Sequence, residues 1–173
     1  MKDLAKIYLV GFMGSGKSTL GKQLANKLDM GFLDLDSFIE EREGKTVQEL
    51  FDQHGEVYFR EVEKKALQTI IEKKESLVVA LGGGTPCFHD NMEMINQSGI
   101  SVYLKYNSGI LAARLKNAKI ERPLIKDKSE VELLSFIESK LDEREQFYCQ
   151  SHITLEGDNI KSKDVMDLLE KMV

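Results

Sequence analysis

The sequence predicts a three-layer α/β/α fold around five parallel strands, on the evidence of its alternating apolar runs, its composition and its lack of repeats. Strand-like runs recur at 6–10, 31–35, 76–81, 100–105 and 152–155, and amphipathic helical patterns fill most of the intervals. Strands separated by helices imply right-handed crossovers, which build a parallel sheet covered on both faces. The chain has 173 residues, 42% hydrophobic and 31% charged, enough for about one domain that buries roughly 70% of its unfolded surface. No repeat, low-complexity stretch or linker composition divides it. A formal charge of −5 argues against a nucleic-acid partner, which calls for a basic surface. No apolar run approaches membrane-spanning length, and Met1 to Lys6 has no leader pattern, so the expected location is the cytoplasm. Cys87 and Cys149 are far apart and lack metal-ligand spacing, which predicts two reduced thiols.

The first strand, Lys6 to Val10, runs straight into Gly11-Phe12-Met13-Gly14-Ser15-Gly16-Lys17-Ser18, the G-x-x-x-x-G-K-[ST] phosphate-binding pattern. Several backbone N–H groups must converge on a phosphate, and glycines let the chain fold back tightly enough to present them. The helix that follows adds its positive dipole end to the same anion site. Gly14, Ser15, Gly16, Lys17, Ser18 and Thr19 are therefore the candidate nucleotide contacts, with Lys17 bridging the outer phosphates and the Ser18 hydroxyl placed to ligate Mg2+. That helix, 17–28, carries Leu20, Leu24 and Leu28 as a buried stripe, and Gly31 marks the turn into the second strand. Asn26-Lys27-Leu28-Asp29 fits a guanine-reading pattern, but it sits in this helix rather than after a late strand, so it reads as solvated helix.

The second strand ends Phe32-Leu33-Asp34-Leu35-Asp36. Ligands sit beyond the carboxyl ends of such strands, so both aspartates are expected to face the nucleotide from one side of the extended chain. One carboxylate suits the magnesium shell and the other an acceptor hydroxyl, while Asp36 or Ser37 could also cap a helix starting near 38. Residues 37–73 form a long helical insertion. Within it Arg60 lies three residues before Glu63, which by itself reads as an exposed pair worth about 0.5 kcal/mol. Phe51 and Phe59 lie eight apart on one helical register and read as core or pocket wall. The third strand breaks into Gly82-Gly83-Gly84, a run that lets a ligand approach the backbone closely. Residues 117–128 form a polar stretch with a lone Arg122-Pro123, and Arg144 stands between two glutamates in a late helix. His54, His89 and His152 have no metal-site spacing and are expected in structural or surface roles. The phosphate loop alone would serve a kinase or a nucleotide switch equally well; the glycine run with the two arginines favours a phosphoryl acceptor.

Gly11 to Ser18, Asp34-x-Asp36, Phe59-Arg60, Gly82 to Gly84, Arg122-Pro123-Leu124 and Arg144 within Asp142 to Tyr148 follow one another as they do in shikimate kinases. The chain resembles that family over nearly its whole length. The resemblance implies a single P-loop kinase domain over 1–173, with a core of 1–36, 74–116 and 129–173, a substrate-binding insertion at 37–73 and a lid at about 117–128. It implies transfer of the γ-phosphoryl group of ATP to the 3-hydroxyl of shikimate, in aromatic amino-acid biosynthesis, by a cytoplasmic monomer that uses Mg2+ and has no membrane or nucleic-acid partner. Gluconate and nucleoside monophosphate kinases share the fold and are the alternative. Asp36, Arg60, Gly82, Gly83, Gly84 and Arg144 would hold shikimate, with Asp36 as catalytic carboxylate beside Lys17 and Arg122. Asp34 would hold magnesium through water and Ser18 directly, while Arg114 and Arg122 would contact ATP. The chain departs from the family pattern at Gln146-Phe147-Tyr148, where relatives have Pro-Leu-Tyr, and at Leu155 to Ile160, where relatives often have an adenine-packing arginine or proline.

Overall fold

Five short strands, β1 (Lys6–Val10), β2 (Gly31–Asp34), β3 (Leu77–Ala80), β4 (Ile100–Lys105) and β5 (Ile153–Glu156), make one parallel sheet in the order β2-β3-β1-β4-β5. The structure is a computed structural model in which residues 6–118 and 125–172 are described. β1 lies at the centre, with Leu9 opposite Ala80 of β3 on one side and Val102 of β4 on the other. A strand covered on both faces should read as an unbroken apolar run, as Ile7-Tyr8-Leu9-Val10 does.

Alternate side chains of the strands enter two separate cores, which is the physical content of the three layers. Ile7 and Leu9 join Val78, Val102 and Leu104 beneath α1 (Lys17–Leu28), α5 (Ser108–Lys116) and α7 (Ser162–Met172). Tyr8 and Val10 join Val79 and Tyr103 beneath α2 (Leu35–Glu43), α3 (Val47–Glu72) and α4 (Asn91–Ser98). One helix, α6 (Glu130–Tyr148), feeds both: Leu133 and Ile137 enter the first core and Tyr148 the second. Among the described residues no helix is long and apolar enough to cross a membrane.

The expected helix over 17–28 has those bounds, and the strands fall within a residue or two of expectation. β5 begins at Ile153, and the preceding His152 accepts from the Ser101 amide through Nδ1 at 3.2 Å. The expectation at the end of β2 needs a correction. The chain turns at Asp34, whose carboxylate accepts from the amides of Asp36 at 3.1 Å and Ser37 at 3.4 Å. Asp34 is thus the N-cap of α2, and Asp36 is the second residue of that helix. The two aspartates therefore do not share one side of an extended strand, and neither Asp36 nor Ser37 caps the helix.

The insertion is two helices with a break. Gly44 closes α2 in the left-handed conformation, and Thr46 and Glu49 cap α3 reciprocally. α3 is interrupted at Gly55, at φ 80° and ψ 174°. Phe59 is buried in the second core and Phe51 packs against it, in line with the reading as core or pocket wall, but the break brings the two rings together as a single helical register would not. In a straight helix they would stand about 12 Å apart along the axis, whereas here their ring centroids are 4.5 Å apart. Beyond the break α3 lies against the sheet, with Leu67 and Ile70 fully buried.

Candidate active site

The carboxyl ends of β1, β2 and β3 open into a cleft of about 420 Å³, lined by Gly14, Gly16, Lys17, Ser18, Thr19, Asp34, Asp36, Gly82, Gly83 and Arg114, among others. The loop at its floor turns through positive φ at Gly14 (81°) and Gly16 (85°), which a residue with a Cβ adopts only under strain. Gly16 opens α1 with no side chain capping the helix and no acidic residue in the first turn. The first-turn N–H groups and the dipole end of the helix therefore face the cleft. Lys17 bends back over the loop, its Nζ donating to the carbonyls of Gly11 at 2.7 Å and Phe12 at 2.8 Å. Ser15 is buried within the loop and borders a second recess of about 520 Å³ shared with Tyr106, Arg114 and Asn159.

At the next strand end the Ser18 hydroxyl donates to Asp34 Oδ2 at 2.6 Å. Two hard oxygens side by side beneath a phosphate loop suit Mg2+, which takes one or two protein ligands and keeps several waters. Asp36 points into the same cleft. Burial raises its pKa to about 6, the Asp34 and Glu63 carboxylates push the same way, and Lys17 pulls it down.

The glycine run has none of the positive φ values that would explain it by conformation. Space explains it instead. A Cβ on Gly82 would stand 2.9 Å from Thr85 Oγ1 and 3.0 Å from Asp36 Oδ1, and one on Gly83 would stand 3.2 Å from a terminal nitrogen of Arg144. On Gly84 it would meet Arg60 Nη2 at 2.5 Å. Each glycine thus makes room for a polar side chain that the sequence had singled out, brought in from α2, α6 and α3 respectively.

Arg60 is not the exposed pair its spacing suggested. It is 9% exposed and Glu63 only 1%. Its Nη1 donates to Glu63 Oε2 at 2.8 Å, and Thr85 Oγ1 donates to the other Glu63 oxygen at 2.7 Å. The guanidinium carbon lies 4.0 Å from the ring centroid of Phe88, 5.2 Å from Phe59 and 5.8 Å from Phe51. Arg144, half-buried on α6, stands over Phe12 at 5.6 Å, and one turn later the Tyr148 hydroxyl donates to the Gly83 carbonyl. Burial holds the Tyr148 hydroxyl well above the usual phenol range, so it remains a donor. Arg114 stacks on Tyr106 at 4.1 Å, beside the carbonyls of Ser15 and Asp158. Arg122, with half of the expected lid, lies outside the described residues.

Four contributors escaped the sequence reading: Glu63, Thr85, Phe88 and Tyr148. Glu63 was visible only as the partner of Arg60, since spacing does not report burial. Tyr148 was noted for its position but not for its hydroxyl. The histidines have local contacts: His54 stacks on Tyr58 at 4.5 Å, His89 Nε2 faces Glu61 at 3.3 Å, and His152 bonds Ser101.

Comparison with known proteins covers this whole architecture. A family model described as shikimate kinase matches residues 13–173. The shikimate kinase of Azobacteroides pseudotrichonymphae is 46% identical over 170 residues, 98% of each chain. The crystal structure of shikimate kinase from Bacteroides thetaiotaomicron superposes with a TM-score of 0.93 at 42% identity, covering 96% of this chain and 99% of that one. Shikimate kinase from Acinetobacter baumannii, in complex with shikimate, superposes at 0.85 with 33% identity, covering 98% and 93%. Identity of this order, sustained from end to end and matched by the fold, places the chain in the shikimate kinase family.

Proposed function

We propose that the chain is an ATP-dependent shikimate kinase, transferring the γ-phosphoryl group of ATP to the 3-hydroxyl of shikimate to give shikimate 3-phosphate and ADP, a step toward aromatic amino acids. The observation that carries this reading is the meeting of Asp36, Arg60 and Arg144 around Gly82 to Gly84 at the mouth of a phosphate-loop cleft. A small hydroxylated carboxylate needs both a carboxylate for its hydroxyls and cations for its own charge. Both stand within one layer of side chains here. A nucleotide switch would need neither.

In this reading Gly14, Ser15, Gly16, Thr19 and the first turn of α1 hold the phosphates through backbone N–H groups. Lys17 exchanges the loop carbonyls for the outer phosphate oxygens. Asp36 accepts from the attacking hydroxyl and orients it. As the oxygen–phosphorus bond forms and the bond to the leaving ADP oxygen breaks, the hydroxyl proton passes to Asp36. A carboxyl group titrating near 6 is ionised at neutral pH yet basic enough to take that proton, although with a loose transition state orientation counts for more. Arg60 and Arg144 take the acceptor carboxylate through planar forks that stay charged. Gly82 and Gly83 let the ring lie against the backbone, with Gly84 seating Arg60 behind it. Ser18 and Asp34 would hold Mg2+, the aspartate through water; when bound, the ion neutralises charge on the transferring phosphate. Arg114 forms the wall of the second recess and is assigned to the base. Arg122 is assigned to the phosphates by the family resemblance alone, as is the lid over 117–128.

The insertion at 37–73 then serves as the acceptor-binding part of a single domain. A monomer is assigned by the family resemblance alone. Two cysteines without a disulfide fit the reducing cytoplasm, where ATP is available. The direct test is ADP release in a coupled assay with ATP, Mg2+ and shikimate. Shikimate-dependent turnover is expected, and its absence with the protein folded refutes the reading.

A further inference from the structure

Arg60 is held by two carboxylates of unlike character. Glu63 is buried, bonds Nη1 at 2.8 Å, and is itself fixed by Thr85. Glu56 reaches the opposite edge of the guanidinium with one oxygen shared between two nitrogens, at 3.2 Å from Nη2 and 3.4 Å from Nε. Those distances exceed the 2.7–2.9 Å typical of charge-assisted bonds, and a single oxygen wastes the fork that a whole carboxylate would fill. Glu56 is also exposed, at 56% of its side chain, and it begins the helical segment immediately after the break at Gly55. One edge of Arg60 is thus locked, and the other is covered by a loosely held, solvated carboxylate.

We propose that Glu56 is an internal stand-in for the acceptor's carboxylate, covering the displaceable edge of Arg60 until the acceptor arrives and so setting its apparent affinity. This rests on the assignment of Arg60 to the acceptor. The exchange swaps one carboxylate for another, so the buried guanidinium keeps the same charge balance before and after binding. It swaps a one-oxygen contact for a two-oxygen one, which favours a planar carboxylate. A ring lacking that group has nothing with which to displace Glu56, so the device adds discrimination as well as weakening binding.

Glu56→Gln removes the competing charge while keeping the shape. It is expected to tighten shikimate binding about two- to fivefold, the worth of an exposed ion pair, in both calorimetric Kd and KM. The turnover number and the KM for ATP should stay as they are. Glu61→Gln is the control, because it removes the same charge from a neighbouring exposed side chain that faces His89. Unchanged or weaker shikimate binding in Glu56→Gln overturns the proposal, and so does equal tightening in Glu61→Gln. Arg60→Ala separates the two levels. If it leaves shikimate affinity intact, the assignment of Arg60 itself fails. If it weakens binding and Glu56→Gln then has no further effect in that background, the stand-in acts through Arg60 as stated. Tightening that persists without Arg60 overturns it.

Discussion

Asp36 illustrates how one residue couples stability to chemistry. Its carboxyl titrates near 6 in the folded chain, chiefly through burial and then through Asp34 and Glu63. Well below pH 4 the group is protonated in both folded and unfolded chains and adds nothing to stability. As pH rises toward 6 the unfolded chain ionises first, so the folded state loses stability, and above that the full penalty of up to about 3 kcal/mol remains. Asp36→Asn should therefore raise the melting temperature of the ligand-free protein at pH 8, with the gain vanishing near pH 3. A melting series across that range checks it. The same variant should lose about 10²-fold or more in turnover while ATP affinity stays nearly intact. In the parent, kcat/KM should fall on an acid limb centred near pH 6. Gly84 offers a second test at this scale. Gly84→Ala would drive a methyl group into the Arg60 guanidinium, which Glu63 and three phenyl rings keep from yielding. An increase of about 10- to 100-fold in the shikimate KM, with the ATP KM unchanged, is expected from steady-state kinetics on both substrates.

At the scale of elements, α3 does two tasks because it is broken. Its later part belongs to the core, where Leu67 and Ile70 are fully buried. Its first part turns at Gly55 and lays Phe51 against Phe59 and toward Arg60. Gly55 has open space around it, so a methyl group there clashes with nothing, and the demand is on backbone conformation alone. At φ 80° and ψ 174° that demand is close to glycine-only. Gly55→Ala should lower stability by about 1–3 kcal/mol, or roughly 3–10 °C in melting temperature for a chain of this size. It should also weaken shikimate binding more than ATP binding, as the Phe51 ring leaves the Arg60 site. Calorimetric melting with titration of each substrate separates the two effects. α6 has a comparable double role. It carries Leu133 and Ile137 into one core and Tyr148 into the other, and that crossing delivers Arg144 to Gly83.

For the whole molecule, the monomer that the family resemblance implies predicts that activity does not depend on association. Specific activity is expected to hold constant on dilution, and light scattering should give the mass of a single chain. Much of this organisation was legible beforehand because it depends on local chemistry. The phosphate loop announces itself within eight residues, since its glycines, lysine and serine must be contiguous to cradle a phosphate. The strands of the sheet are equally plain, because burial on both faces demands unbroken apolar runs. The split of the insertion has local signals in Gly44 and the Thr46–Glu49 capping pair, but the reading of 37–73 as one long helical stretch missed it. Other features depend on distant partners. Whether Arg60 is surface charge or a buried fork is settled by Thr85, Phe88 and Glu63 packing around it, and no spacing along α3 encodes that. The reason for three consecutive glycines is likewise tertiary, because the side chains that need the room arrive from α2, α3 and α6. The sequence by itself determined the nucleotide loop, the layered parallel fold and, through motif order, the family. Only the tertiary structure decided which charges are buried, which aspartate caps a helix and which carboxylate covers Arg60, because burial and through-space pairing are properties of the packed chain.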